Sequence, residues 1–74
     1  MGLPVLSGRD VVKALSNAGF VVVGRKGSHI RMKRKDGRTL VVIVPDHREV
    51  AAGTLKSILR QAGLSREEFL ELIK

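Results

Sequence analysis

Apolar and polar residues alternate along the chain with two different periods, and these periods predict its helices and strands. Residues 7–18 place apolar side chains three or four positions apart, and Ser7 occupies the N-cap position. Residues 54–62 show the same helical spacing, and Ser65 with Glu68 forms a capping box for a short last helix. The sequence therefore predicts one helix before the central segment and two after it.

The central segment is rich in β-branched residues and predicts three strands. These strands cover residues 20–24, 29–35 and 38–44, separated by a turn at residues 25–27 and by an Asp36-Gly37 hairpin bend. The predicted order is α-β-β-β-α with a short extra C-terminal helix. Such a chain is expected to form an α+β fold, in which a three-stranded antiparallel sheet carries its helices on one face.

Length and composition limit the classes of protein to consider. Seventy-four residues provide one small core, so we expect a single domain over residues 1–74. The chain has no cysteine, which excludes a disulfide framework and a thiolate metal site. Its start lacks the features of a signal peptide, and no apolar run is long enough to span a bilayer. We expect a cytoplasmic protein without membrane attachment, metal or small-molecule cofactor.

The positive charge is concentrated in the central segment. Fourteen Lys and Arg residues against seven Asp and Glu give a net charge of +7, and seven of these cations lie between residues 25 and 38. This distribution favours association with nucleic acid or an acidic protein. Because side chains alternate across a strand, Ile30 and Met32 are expected to face the core. The opposite, exposed face then carries His29, Arg31, Lys33 and Lys35.

The bend after the second strand decides what else lies on that exposed face. If Asp36 and Gly37 form the whole bend, then Leu40, Val42 and Val44 point to the same side as the cations. Three aliphatic residues on an open sheet require a cover. Either the bend is longer than two residues, or a partner protein packs on this face. We favour the partner, with Leu40, Val42 and Val44 as the residues that face it.

His29 has the chemistry that RNA cleavage requires, because histidine takes up and releases a proton near neutral pH. A general base can remove the proton of a ribose 2′-hydroxyl, which then attacks the adjacent phosphorus. Gly27 permits close backbone approach, and the groups around Ser28 can bind a phosphate oxygen. His47, after the third strand, is a candidate auxiliary group. The candidate phosphate-binding cations are Arg25, Lys26, Arg31, Lys33 and Lys35.

The residues alone leave other interpretations open. An exposed histidine beside lysines is often an ordinary solvated residue, and a basic strand also serves solubility. His47 either donates a proton or only shapes its loop. A small α+β domain that binds RNA without cleaving it is therefore an alternative to a nuclease.

Four segments taken together resemble the HicA toxin family of mRNA interferases: SGRDVVKALSNAGF, GRKGSHIRM, VVIVPDH and GTLKSILRQAGLSREEFL. The resemblance implies a fold like that of the double-stranded-RNA-binding domain and a ribonuclease activity that cleaves mRNA. It implies that His29, in the Gly-Ser-His motif, is the catalytic residue, and that Gly27 matches the family's glycine. It also implies a HicB-like antitoxin, which we expect to cover the sheet face that carries His29.

Overall fold

The computed structural model describes residues 3–74 and confirms the predicted α+β order, with a three-stranded antiparallel sheet in the order β1-β2-β3. The predicted domain of 1–74 includes residues 1 and 2, which lie outside the described part of the chain. Among residues 3–74, no helix combines the length and hydropathy needed to cross a membrane. The elements are α1 (Gly8–Asn17), β1 (Val21–Lys26), β2 (His29–Asp36), β3 (Arg38–Pro45), α2 (Ala52–Ala62) and α3 (Arg66–Leu72).

Two helices begin at capping boxes that the sequence contains. The Ser7 hydroxyl accepts from the Asp10 amide at 3.1 Å, and the Asp10 carboxylate accepts from the Ser7 amide at 3.1 Å. Ser65 and Glu68 make the same reciprocal pair at the start of α3, and these hydrogen bonds hold the pKa of Glu68 below its ordinary value of 4.5. In contrast, α2 begins two residues earlier than predicted, with Ala51 at its N-cap and no side-chain cap.

The core lies between the helices and one face of the sheet, which we call the inner face. Phe20 and Phe69, which are 2% and 0% exposed, are the aromatic residues of this layer. None of the buried side chains among residues 3–74 is polar or charged. The buried aliphatic residues of the helices are Val11, Ala14, Leu15, Leu55, Ile58, Leu59 and Ala62.

The predicted exposure of Leu40, Val42 and Val44 is wrong. Val42 pairs with Met32 and Val44 pairs with Ile30, and all four side chains belong to the buried core. Both valines are 0% exposed, and Leu40 is half-buried against the same core. These three residues therefore hold the sheet to the helices and do not face a partner.

These three residues are buried because the hairpin bend between β2 and β3 is one residue shorter than predicted. Asp36 pairs with Arg38, so Gly37 alone occupies the bend, with a φ of 78°. Glycine adopts this left-handed conformation without steric cost. Because side chains alternate along a strand, a shift of one residue moves every side chain of β3 to the opposite face. Burying the aliphatic residues of β3 against the helices favours the observed register over the predicted one.

The first strand also differs from its prediction, because it continues through part of the expected turn. β1 extends to Lys26, and the hairpin turn is formed by Gly27–Ser28. Gly27 has a φ of 58°, which suits the first position of a tight two-residue hairpin turn. The pairing shifts between Val22 and Gly24, so Val23 is an extra residue in a β-bulge. Because the turn ends at Ser28, it lies directly before His29, the first residue of β2.

The start of α1 packs closely against the end of β3, and Gly8 makes this approach possible. The Gly8 amide donates to the carbonyl oxygen of His47 at 2.8 Å. A Cβ at this position would overlap the carbonyl oxygen of Pro45 and lie 2.9 Å from the Cα of Asp46. These are backbone atoms, which cannot turn aside as a flexible side chain can.

Gly8→Ala is therefore expected to lower the free energy of unfolding by about 1–3 kcal/mol, the usual cost of overpacking. Gly53, in the first turn of α2, provides a matched control, because nothing lies within 4 Å of its Cβ position. Gly53→Ala should raise stability by roughly 0.5–1 kcal/mol. Urea unfolding measures both changes, and a Gly8→Ala protein as stable as the unaltered one would contradict this account.

Candidate nucleic-acid interface

The outer face of the sheet, turned away from the helices, carries His29 at one end. Strand pairing places Lys26 of β1 beside His29 and Gly24 beside Arg31. Ile43 of β3 lies on the other side of Arg31. Together with Arg25, these residues line a shallow depression of about 410 Å³, in which the missing side chain of Gly24 leaves room next to Arg31. The depression can accept a small anionic group beside the histidine.

The residues predicted to share this face with His29 do so. Arg31 and Lys35 are exposed with His29, and Lys33 is half-buried. Same-face neighbours on a strand lie roughly 7 Å apart, so Lys35 is about 20 Å from His29 along β2. Arg31 is thus the cation of β2 placed to act together with the histidine, whereas Lys33 and Lys35 can only contact more distant parts of a ligand.

Arg25 is placed differently from the other predicted cations. Its pairing with Ile30 directs its side chain toward the inner side of the sheet. Its Nη2 donates to the Oδ2 of Asp46 at 2.6 Å, and its Nε donates to the carbonyl oxygen of Gly27 at 3.1 Å. The guanidinium of Arg25 is therefore already engaged by a carboxylate and a carbonyl.

Arg34 is a second cation of the central segment that does not join the outer face. Its guanidinium carbon lies 5.7 Å from the ring centroid of Phe20. It also donates to the carbonyl oxygen of Ala18 at 3.1 Å and to the carboxylate of Asp36 at 2.7 Å. Arg34 covers the end of the core and joins β2 to the end of α1, so the charge of the segment is divided between two faces.

The turn before His29 is tied to the loop after β3. The carbonyl oxygen of Ser28 accepts a hydrogen bond from the Asp46 amide at 2.6 Å. Gly27 and Ser28 are both exposed, as a role in binding a phosphate oxygen requires. Because Asp46 immediately precedes His47, this hydrogen bond joins the segments that carry the two histidines.

The structure brings His47 close to His29. His29 pairs with Pro45, two residues before His47, and both histidines line a second depression of about 380 Å³. Glu49 and Thr54 line the same depression. Their presence was not predicted, because Glu49 lies in a loop without periodicity and the spacing of α2 does not show how its first turn approaches His29. Within residues 3–74, no three His, Asp or Glu side chains are grouped to hold a metal ion.

The electrostatics of the loop favour an ionised Asp46. The hydrogen bond from the Arg25 guanidinium holds the pKa of Asp46 below its ordinary value of 3.8. The positive charges of Arg25, Arg9 and His47 lower this pKa further, while partial desolvation opposes them. Asp46 is therefore a carboxylate at neutral pH, where it forms an ion pair with Arg25.

Aliphatic side chains flank the cations on the outer face, but they are not the ones predicted. Val21 of β1 and Val41 of β3 lie on either side of Lys33. Val21, Val41 and Ile43 are 60%, 45% and 38% exposed. Exposed aliphatic residues grouped with charged ones are typical of an interaction surface. The outer face thus has groups for two kinds of contact, ionic and apolar.

Comparison with known protein families finds a match that includes the residues of this surface. The family model described as HicA toxin of bacterial toxin-antitoxin matches residues 8–64. The match includes the whole sheet, both histidines and the loop that contains Asp46. No curated protein matches the chain.

The ion pair between Arg25 and Asp46 is expected to stabilise the fold at neutral pH and to lose its effect in acid. The pKa of Asp46 is lower in the folded chain than its ordinary value of 3.8, so folding favours the deprotonated carboxylate. This contribution is fully present above about pH 3.8 and is lost as the pH falls through the lowered pKa.

Urea unfolding of the unaltered protein and Asp46→Asn from pH 7 downward tests this expectation. The unaltered protein should be more stable at pH 7, and the two free energies of unfolding should converge below about pH 3.8. A difference that stays constant through the acid range would contradict it.

Proposed function

The chain belongs to the HicA toxin family, and from this membership and the geometry of the outer face we propose that it is a ribonuclease toxin that cleaves mRNA through His29. The observation that carries the proposal is the placement of His29. It is exposed beside Lys26, with Arg31 next to it on the same face and a depression between them. A proton-transfer group flanked by two cations suits a phosphodiester.

His29 is proposed to act as a general acid/base. As the base, it takes the proton of a ribose 2′-hydroxyl, whose oxygen attacks the adjacent phosphorus while the bond to the 5′ oxygen breaks. The products are a cyclic 2′,3′-phosphate and a free 5′-hydroxyl, and the leaving oxygen needs one proton. His47 lines the same depression as His29 and is a candidate donor of that proton.

Neighbouring groups would stabilise the charge of the transition state. Lys26 and Arg31 offset the negative charge on the phosphorane oxygens, and the exposed turn at Gly27–Ser28 offers backbone amides to a phosphate oxygen. This set of groups needs no metal ion, so we propose metal-independent cleavage. The flanking RNA backbone would follow β2 along Arg31, Lys33 and Lys35.

We also propose that a HicB-like antitoxin covers the outer face. Members of this family are the toxins of toxin-antitoxin systems, and this implies an antitoxin partner. Val21, Val41 and Ile43 would supply its apolar contacts, and the net charge of +7 would attract an acidic protein. The same cover would keep RNA from His29. With mRNA as the substrate, the proposed site of action is the cytoplasm.

His29→Ala is expected to slow cleavage of a single-stranded RNA by about 10²–10⁴-fold, the usual contribution of general acid/base catalysis. The assay contains a metal chelator and follows labelled RNA on denaturing gels, with binding measured by fluorescence anisotropy. Lys13→Ala, on the exposed side of α1, is the preparation control and should cleave like the unaltered protein.

Cleavage that persists in His29→Ala would reject the role assigned to this histidine. Binding of RNA without cleavage by the unaltered protein would instead support a non-catalytic RNA-binding module.

Val41→Glu is expected to weaken antitoxin binding about tenfold or more, because burying a carboxylate in an apolar contact costs more than 1.4 kcal/mol in lost hydration, which the neighbouring Lys33 offsets only in part. Val5→Glu is the matched control, since Val5 is 74% exposed and lies in the segment before α1, outside the strands of the sheet. Calorimetric titration with the antitoxin measures both affinities, and thermal unfolding shows that both variants fold. Equal losses of affinity in the two variants, or no loss in Val41→Glu, would contradict the proposal that the antitoxin covers the outer face.

A further inference from the structure

Arg25 holds the turn that precedes His29 from the inner side of the sheet. Its Nε donates to the carbonyl oxygen of Gly27 at 3.1 Å, within the two-residue turn that joins β1 to β2. Its Nη2 donates to the carboxylate of Asp46 at 2.6 Å. One guanidinium therefore connects the turn before the first histidine with the residue before His47.

A second contact joins the same two segments. The Asp46 amide donates to the carbonyl oxygen of Ser28 at 2.6 Å, so Asp46 holds the turn through both its backbone and its side chain. The Asp46 side chain is only 16% exposed, whereas that of Arg25 is 54% exposed. The carboxylate thus lies inside the junction, where water competes with its charge-assisted hydrogen bond less than at an open surface.

The other side of the loop rests on α1. The Gly8 amide donates to the carbonyl oxygen of His47, and the absence of a side chain at Gly8 lets the helix touch the backbone at Pro45. The loop after β3 is therefore held between the start of α1 and the turn of the β1–β2 hairpin. Of these contacts, the Arg25–Asp46 link is the one made between two side chains, and it can be removed without changing the backbone.

We propose that Arg25 is a positioning residue: the Arg25–Asp46 link fixes the relative placement of His29 and His47, and Arg25 does not bind RNA phosphate. This inference rests on the proposed ribonuclease function. An arginine whose charge is balanced by a carboxylate offers little net charge to a phosphate. Moreover, a phosphate that took the guanidinium away from Asp46 would release the loop that carries His47.

Cleavage depends steeply on such placement, since a displacement of about 1 Å can cost roughly 10²-fold in rate. Asp46→Asn separates the two roles of Arg25, because it removes a negative charge and frees the guanidinium. If Arg25 bound phosphate, this variant would bind RNA more tightly and cleave it at least as fast. If Arg25 is instead a positioning residue, Asp46→Asn breaks its ion pair with the loop. The cleavage rate at saturating protein should then fall roughly 10–10²-fold without weaker RNA binding.

Arg25→Ala tests the other side of the link. Its saturating cleavage rate should fall by a similar factor, while the slope of log affinity against log salt stays as in the unaltered protein. Loss of a phosphate contact would instead reduce that slope by about 0.7. Affinities are measured on an RNA with a 2′-deoxy sugar at the cleavage site, which cannot react. Asp46→Glu keeps the carboxylate and should recover part of the rate that Asp46→Asn loses.

Arg38→Ala is the matched control for lost charge. Arg38 is exposed beside the bend between β2 and β3, at the end of β2 opposite to His29. This variant should keep the saturating cleavage rate of the unaltered protein. A fall in rate equal to that of Arg25→Ala would assign the effect to net charge and overturn the inference.

Amide hydrogen exchange supplies a measurement that does not depend on activity. The Asp46 amide, bonded to Ser28, should exchange faster in Arg25→Ala and Asp46→Asn but not in Arg38→Ala. Unchanged exchange together with a normal cleavage rate in Arg25→Ala would overturn this inference alone. Absence of cleavage by the unaltered protein would overturn the proposed function, and the positioning role with it.

Discussion

The sheet can bury only one of the two sets of side chains that alternate along its strands, and the aliphatic residues of β2 and β3 decide which. Ile30 pairs with Val44 and Met32 pairs with Val42, and all four are enclosed by the helices. Burial of such side chains stabilises the fold by roughly 1.5–3 kcal/mol each. His29 is directed outward as a consequence of this pairing, because it is the neighbour of Ile30 on the same strand.

The outer face combines features that serve two ligands. Cations along β2 suit a phosphate backbone, whereas exposed aliphatic residues of the flanking strands suit a protein. Since both sets lie on one side of one sheet, a protein that packs on the aliphatic residues also covers the cations and His29. Competition between the proposed substrate and the proposed antitoxin therefore needs no conformational change. It follows from the two sets of side chains sharing one surface.

The errors of sequence-based prediction have a common physical origin. Helix starts were predicted well where capping boxes mark them, because these hydrogen bonds join residues three positions apart. The register of β3 was predicted wrongly, because Gly37 alone forms the bend and the pairing of β3 with β2 shifts by one residue. As a result Val41, and not Val42, lies on the outer face. Arg25 was grouped with the phosphate-binding cations, because its carboxylate partner lies 21 positions away along the chain.

The amino-acid sequence by itself determined the order of the elements, the concentration of charge and the side of β2 on which His29 lies. These features depend on neighbours within a few residues, through helical spacing, strand alternation and capping. Only the tertiary structure decided which aliphatic residues are exposed, that Arg25 joins Asp46, and that His47 approaches His29. Those features depend on contacts between distant residues, whose geometry is set by the length of each bend and by the packing of the whole core.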